Sequence, residues 1–179
     1  MAKGPQLAVD IGQHAVKMVA IKRTRKGAVV TGALSQPVGL PPKTSSEEYN
    51  QRVVEIIKSG RKSLSGAGRR AAVALGGRSA FSRNVKVPAV TGRQLKRIIN
   101  YEARQQIPFP IEQVNFDHHL IPPPEGADEV EVMLLAVRSD VSEELVSRLS
   151  GGGLRTDVVD VGPVALFNAY MATIGAAEE

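Results

Sequence analysis

The chain has 179 residues, a formal net charge of +5 and no cysteine. That length suits one domain or two small subdomains sharing a core, and the lack of cysteine excludes disulfides, thiolate metal sites and cysteine nucleophiles. Hydrophobic residues make up 42% but aromatic ones only 4%, with no Trp, so a core must be built from Val, Ile, Leu and Ala.

The N-terminal MAKGPQ has no apolar signal core, and no run of about 18 apolar residues occurs, which reads against a cleaved signal or a spanning helix. Residues 7–11 form a short apolar run suited to a buried strand. Residues 15–23 carry apolar side chains on both faces, the pattern of a central strand, and Lys26-Gly27 turns the chain into a third strand over 28–36. The opening is therefore a three-stranded antiparallel meander, which QPVGLPP then breaks. Ser45 and Glu48 form a capping box, and Tyr49, Val53, Ile56, Ile57 and Leu64 repeat at helical spacing, which predicts a helix over 46–64. SGAGRR ends it, and AAVAL is a buried strand closed by Gly76-Gly77.

The pattern restarts at Ser79. Phe81, Arg83, Val85 and Val87 alternate with Ser82, Asn84 and Lys86, giving a half-exposed strand stopped by Pro88. TGRQ is a second capping box before a helix over 92–106, which sets Leu95, Ile98, Ile99 and Ala103 on one face and ends at IPFP. Strands near 113–121 and 129–138 flank the loop IPPPEGADE. Asp140 with Glu143 caps a helix over 141–150, GGG terminates it, RTDVVDV is a last strand, and GPVALFNAYMATI begins a last helix. A self-contained central block flanked by two parts of a larger sheet is the pattern of an inserted subdomain.

Few motifs carry chemistry by themselves. His118 and His119 are adjacent on a strand and so point to opposite faces, which disfavours a shared metal ion. There is no GxSxG elbow and no Walker A loop. Lys17, Lys22, Arg23, Arg25 and Lys26 cluster around the first hairpin, and Lys58, Arg61, Lys62, Arg69 and Arg70 around a glycine-rich loop. Such clusters meet nucleic acid or anionic lipid, or are simply the solvated face of a basic protein. The basic helix 92–106 offers only Tyr101 for stacking, which disfavours single-stranded nucleic acid. The remaining feature is the corner LAVDIGQHAVKMVAIKR, where Asp10 and Gly12 meet at a hairpin tip. Backbone amides there can cradle a phosphate and a carboxylate can hold hydrated magnesium, although D-x-G turns are also ordinary hairpins.

Four stretches together resemble the family of the type IV pilus assembly protein PilM, related to the cell-division protein FtsA within the actin-like nucleotide-binding fold. They are LAVDIGQHAVKMVAIKR, AVALGGRSAFSRNVKVPAV, LKRIINYEARQQIPFPIEQVNFDHHLI and LRTDVVDVGPVALFNAY, in the family's order. The resemblance implies an α+β or α/β fold of the actin-like (ribonuclease H-like) type. Residues 6–78 and 154–179 would form its first large subdomain, and residues 79–153 an inserted small β-α-β-β-α subdomain.

In such a family Asp10, Gly12, Gln13, His14 and Lys17 would be half of a phosphate site. Gln13 and His14 depart from the small residues the family often has there. The resemblance puts the second phosphate loop and the adenosine pocket in a second lobe, so this chain is expected to hold no cofactor alone and to lack ATPase activity. ATP and Mg2+ would belong to a longer form. The implied role is a cytoplasmic adaptor, peripheral to the inner membrane in a type IV pilus or type II secretion platform. Its partner would be the N-terminal peptide of a PilN-like membrane protein, with self-association as a further contact. Phe81, Arg83, Val85, Ile107 and Phe109 are the candidate peptide-groove residues, with core packing as their alternative reading. Rival readings are an ATP-binding protein completed by a second lobe on a longer or separate chain, and a basic nucleic-acid or lipid-binding domain.

Overall fold

The computed structural model describes residues 6–24, 27–64 and 66–173. Arg25 and Lys26 of the expected turn, Ser65 of SGAGRR, and Ile174 at the end of the last helix lie outside the described residues. The chain divides into two compact units, one from Met1–Gly76 with Glu143–Glu179 and one from Gly77–Ser142.

The first unit is a five-stranded sheet. β1 (Leu7–Ile11), β2 (Ala15–Thr24) and β3 (Gly27–Pro37) form the antiparallel meander. β4 (Arg70–Leu75) then pairs in parallel with β1, and β8 (Arg155–Val161) in parallel with β4, giving the order β3-β2-β1-β4-β8. Period-two alternation decides the buried face: Leu7 and Val9, Val16 and Met18, Ala71 and Val73 are all buried. Helix α1 (Ser46–Ser63) buries Val53, Ile56 and Ile57, spaced to share one face, and Ser45 accepts a hydrogen bond from the Glu48 amide at its N-cap. Helix α3 (Ser139–Gly151) buries Leu145 and Leu149 and runs beside α1. Helix α4 (Gly162–Thr173) follows β8 and buries no residue; Leu166 is 73% and Phe167 59% exposed.

The second unit is an antiparallel sheet in the order β5-β7-β6, from β5 (Ala80–Pro88), β6 (Val114–Ile121) and β7 (Glu129–Arg138). Helix α2 (Gly92–Gln106) covers one face. Its Ile99 joins Val85, Val87, Val132 and Leu134 in one cluster, and its Ala103 joins Ile107, Val114 and Ala136 in another. His118 lies opposite Leu134 and His119 opposite Met133, so the two rings leave opposite faces of the sheet.

Three local expectations change. Thr91 makes no side-chain cap on α2, because Gly92 enters the helix at φ +63° and turns the first amides away from the hydroxyl. Helix α3 starts at Ser139, so Asp140 lies inside its first turn and accepts from Arg138 and the Val141 amide. The second unit ends at Ser142 rather than 153, because the rest of α3 packs on α1 within the first unit: Gly151 abuts Val54 and Gly152 abuts Ile57.

Candidate functional site

The hairpin joining β1 and β2 carries the Asp10 corner. Register pairs Asp10 with Lys17, and the lysine Nζ lies 3.2 Å from the carboxylate with both side chains exposed. The Gly12 amide donates to the Ala15 carbonyl at 3.0 Å, so it is already spent within the turn. The Gly12 carbonyl accepts from the Tyr49 hydroxyl of α1 at 3.1 Å, and the His14 carbonyl accepts from the Val38 amide at 2.9 Å. Gln13 and His14 have exposed side chains. The five residues Asp10, Gly12, Gln13, His14 and Lys17 thus lie together at one end of the sheet, held from behind by Tyr49.

Tyr49 is itself braced by residues that sequence patterns did not single out. The Arg148 guanidinium stacks 5.3 Å from its ring centroid, donates to Asn50 Oδ1 at 2.7 Å, and pairs with Glu144 at 2.9 Å. Asn50 completes the cluster by donating to Glu144 at 2.9 Å. Burial pushes the Tyr49 phenol above its ordinary pKa; Arg148 opposes the shift, while Glu144 and Asp10 add to it.

A second carboxylate joins this end of the sheet. Ala74 of β4 pairs with Asp10 on one side and with Asp160 of β8 on the other. The two aspartates are therefore in register on one face, two strand spacings or about 10 Å apart. Both precede a glycine by two positions, Asp10-Ile11-Gly12 and Asp160-Val161-Gly162, at the carboxyl ends of parallel strands, where open α/β sheets place ligands. The sequence signal for Asp160 was the same D-x-G spelling; only the parallel pairing through β4 brings it beside Asp10.

The groove candidates all fall in the second unit, and the fold separates them. Val85 (8% exposed) and Ile107 (4%) are core residues of the two clusters under α2, which leaves them no surface for a ligand and corrects their assignment to a groove. Phe81 packs against the second cluster and is half-buried. Arg83 shares the strand face with Phe81 and Val85 yet is exposed, and its guanidinium makes no hydrogen bond or ion pair among the described residues. Phe109, just past α2, is 42% exposed. β5 occupies one edge of its sheet, so among the described residues the backbone groups on its side away from β7 have no strand partner.

A meander leading into parallel strands, with a second unit inserted before the last of them, is the arrangement of the actin-like fold. The chain belongs to the family of the type IV pilus assembly protein PilM, whose model matches residues 8–176. Among solved structures it is similar to a chain of a PilM-PilN type IV pilus biogenesis complex, with 26% identity and a TM-score of 0.79. That match covers 94% of this chain and 50% of the other. A second likeness, of fold only, is to the cytoplasmic domain of EpsL, an inner membrane component of the type II secretion system of Vibrio cholerae. It has 16% identity and a TM-score of 0.53, and covers 86% of this chain and 56% of that one. The chain thus spans about half the length of these solved relatives.

Proposed function

We propose that this chain is a lobe of a PilM-type scaffold at the cytoplasmic face of a type IV pilus or type II secretion inner-membrane platform. In this reading its second unit receives the N-terminal peptide of a PilN-like membrane protein and the chain has no catalytic role. The observation that carries the reading is the fold-wide likeness to the PilM of a PilM-PilN complex. The open β5 edge supports it physically. An extended peptide adding to that edge gains main-chain hydrogen bonds, while Arg83 and Phe109 offer an unpaired cation and an exposed aromatic ring for its side chains. Titrating a synthetic N-terminal peptide of a PilN-like protein into the full chain should release heat and shift amide resonances along β5. Arg83→Glu should weaken the response, and silence at high micromolar peptide refutes the assignment.

The paired carboxylates Asp10 and Asp160 favour a second reading, in which this end of the sheet is half of an ATP and Mg2+ site completed by a second lobe. ATP binding that appears only when a complementary lobe is supplied, and disappears with Asp10→Ala, would support it. Binding that Asp10→Ala leaves intact would remove it.

A further inference from the structure

The two ends of the first unit's sheet differ in how their charges are paired. Several carboxylates lie at the end just described: Asp10 and Asp160 near the ends of β1 and β8, Glu47 and Glu48 in the first turn of α1, and Glu144 within α3, with Lys17 and Arg148 as their cationic partners. The opposite end is basic. There the Ile21 amide bonds the Gln6 carbonyl, the Gln6 amide bonds the Arg70 carbonyl, and the Arg155 amide bonds the Arg69 carbonyl. This ladder sets Lys22 and Arg23 of β2, Arg69 before β4 and Arg155 of β8 along one rim. The C-terminus of α1 reaches the same rim, because Leu64 packs on Gly32, which pairs with Ala20 two residues from Lys22. Lys62 comes with it. Asp157, a carboxylate at this rim, has its side chain largely covered and is already held by Arg70 and Arg155. Lys22, Arg23, Lys62 and Arg69 are exposed and have no carboxylate partner among the described residues.

We propose that this rim is a docking surface for a bilayer containing anionic lipid. Unpaired cations contributed by a strand end, a helix end and a loop line one rim, which complements a plane of phosphates met end-on. A nucleic-acid duplex is read by a helix or ribbon entering a groove, and a single strand by aromatic side chains. The stretches that carry these cations offer no aromatic residue. None of these residues belongs to the second unit, so the surface does not depend on the peptide site.

The test is sedimentation of the full chain with vesicles of phosphatidylethanolamine and phosphatidylglycerol, against vesicles of phosphatidylcholine alone. Binding should require the anionic lipid and fall with added salt. Each cation near the surface is worth about a fivefold change in partitioning, so Lys22→Ala, Lys62→Ala and Arg69→Ala together should weaken it on the order of a hundredfold. A control triple on α2, Arg93→Ala, Lys96→Ala and Arg97→Ala, should leave it unchanged. All six side chains are exposed, so thermal melts of both variants should match the parent chain. Equal binding to phosphatidylcholine, insensitivity to salt, or an equal loss in the α2 control overturns the proposal. So does displacement from the vesicles by a duplex oligonucleotide at equal phosphate, which would make nucleic acid the occupant.

Discussion

Gly152 is where one added methyl group tests the packing that holds the Asp10 corner. A Cβ there would lie 2.2 Å from Ile57 Cγ2, 2.7 Å from Ile57 Cβ and 3.3 Å from the Leu149 carbonyl oxygen. Carbon atoms pack at about 3.5–4.0 Å, so the nearest contact is roughly 1.3 Å too short. Ile57 is fully buried in α1, and its β-branched side chain has one strongly preferred rotamer in a helix, so it cannot swing aside. The strain must part α1 from α3. Gly152→Ala should therefore cost about 3 kcal/mol, the upper end for overpacking. That corresponds to a fall of about 6–12 °C in the midpoint of a thermal melt for a chain of this size. Gly76→Ala is the matched control, since a Cβ there meets nothing within 4 Å, and it should stay within about 0.5 kcal/mol. Ile57→Ala alone should cost about 3 kcal/mol by opening a cavity. Combined with Gly152→Ala the two should fall short of additivity by about 1–2 kcal/mol, because each relieves the other. Urea titrations of the four variants give these numbers. A Gly152→Ala variant as mild as Gly76→Ala, or strict additivity with Ile57→Ala, would refute the close approach of the two helices.

Tyr49→Phe removes the hydrogen bond to the Gly12 carbonyl and should cost about 1 kcal/mol in the same titrations. The Tyr49 phenol has its pKa raised by burial in the folded state. Its stabilising contribution is therefore complete below the ordinary tyrosine pKa and lost as pH rises through the folded value. Tyrosinate absorbance should show this late titration, and Tyr49→Phe should abolish it. Arg83→Ala should leave stability within about 0.5 kcal/mol while Ile107→Ala costs about 3 kcal/mol in the second unit, a contrast that melts monitored on β5 resonances can read. Asp157→Ala frees Arg70 and Arg155, both partly exposed, and should cost about 1–2 kcal/mol by urea titration.

The strands and helices were legible because each has one period and one apolar face. Alternation in LAVDI and AAVAL, and the spacing of Val53, Ile56 and Ile57, are local properties that no tertiary contact needs to supply. What periodicity omits is how far a covering helix reaches. It assigned Phe81, Arg83, Val85 and Val87 to one face correctly, but only the placement of α2 decides that Val85 is core and Arg83 is free. The same gap explains Ile107, which follows a helix end yet turns back into the second cluster. Thr91 failed as a cap for a different reason, since the TGRQ spelling satisfies the pattern while Gly92 adopts a conformation that defeats it.

The residues around the corner were hidden by distance along the chain. Asp160 becomes a neighbour of Asp10 only through Ala74, and Arg148 reaches Tyr49 only because α3 lies against α1. Once assembled, the corner is fixed from three directions: Lys17 on the carboxylate, Tyr49 on the Gly12 carbonyl and Val38 on the His14 carbonyl. Its shape thus follows from the folding of the first unit. The Asp10–Lys17 pair is exposed on both sides and so adds little to that stability. Asp10→Ala should accordingly leave the unit folded, with the Tyr49 and Val38 anchors on the Gly12 and His14 carbonyls intact. Any loss of ligand binding in that variant would then report a lost contact with the ligand and not a collapsed hairpin.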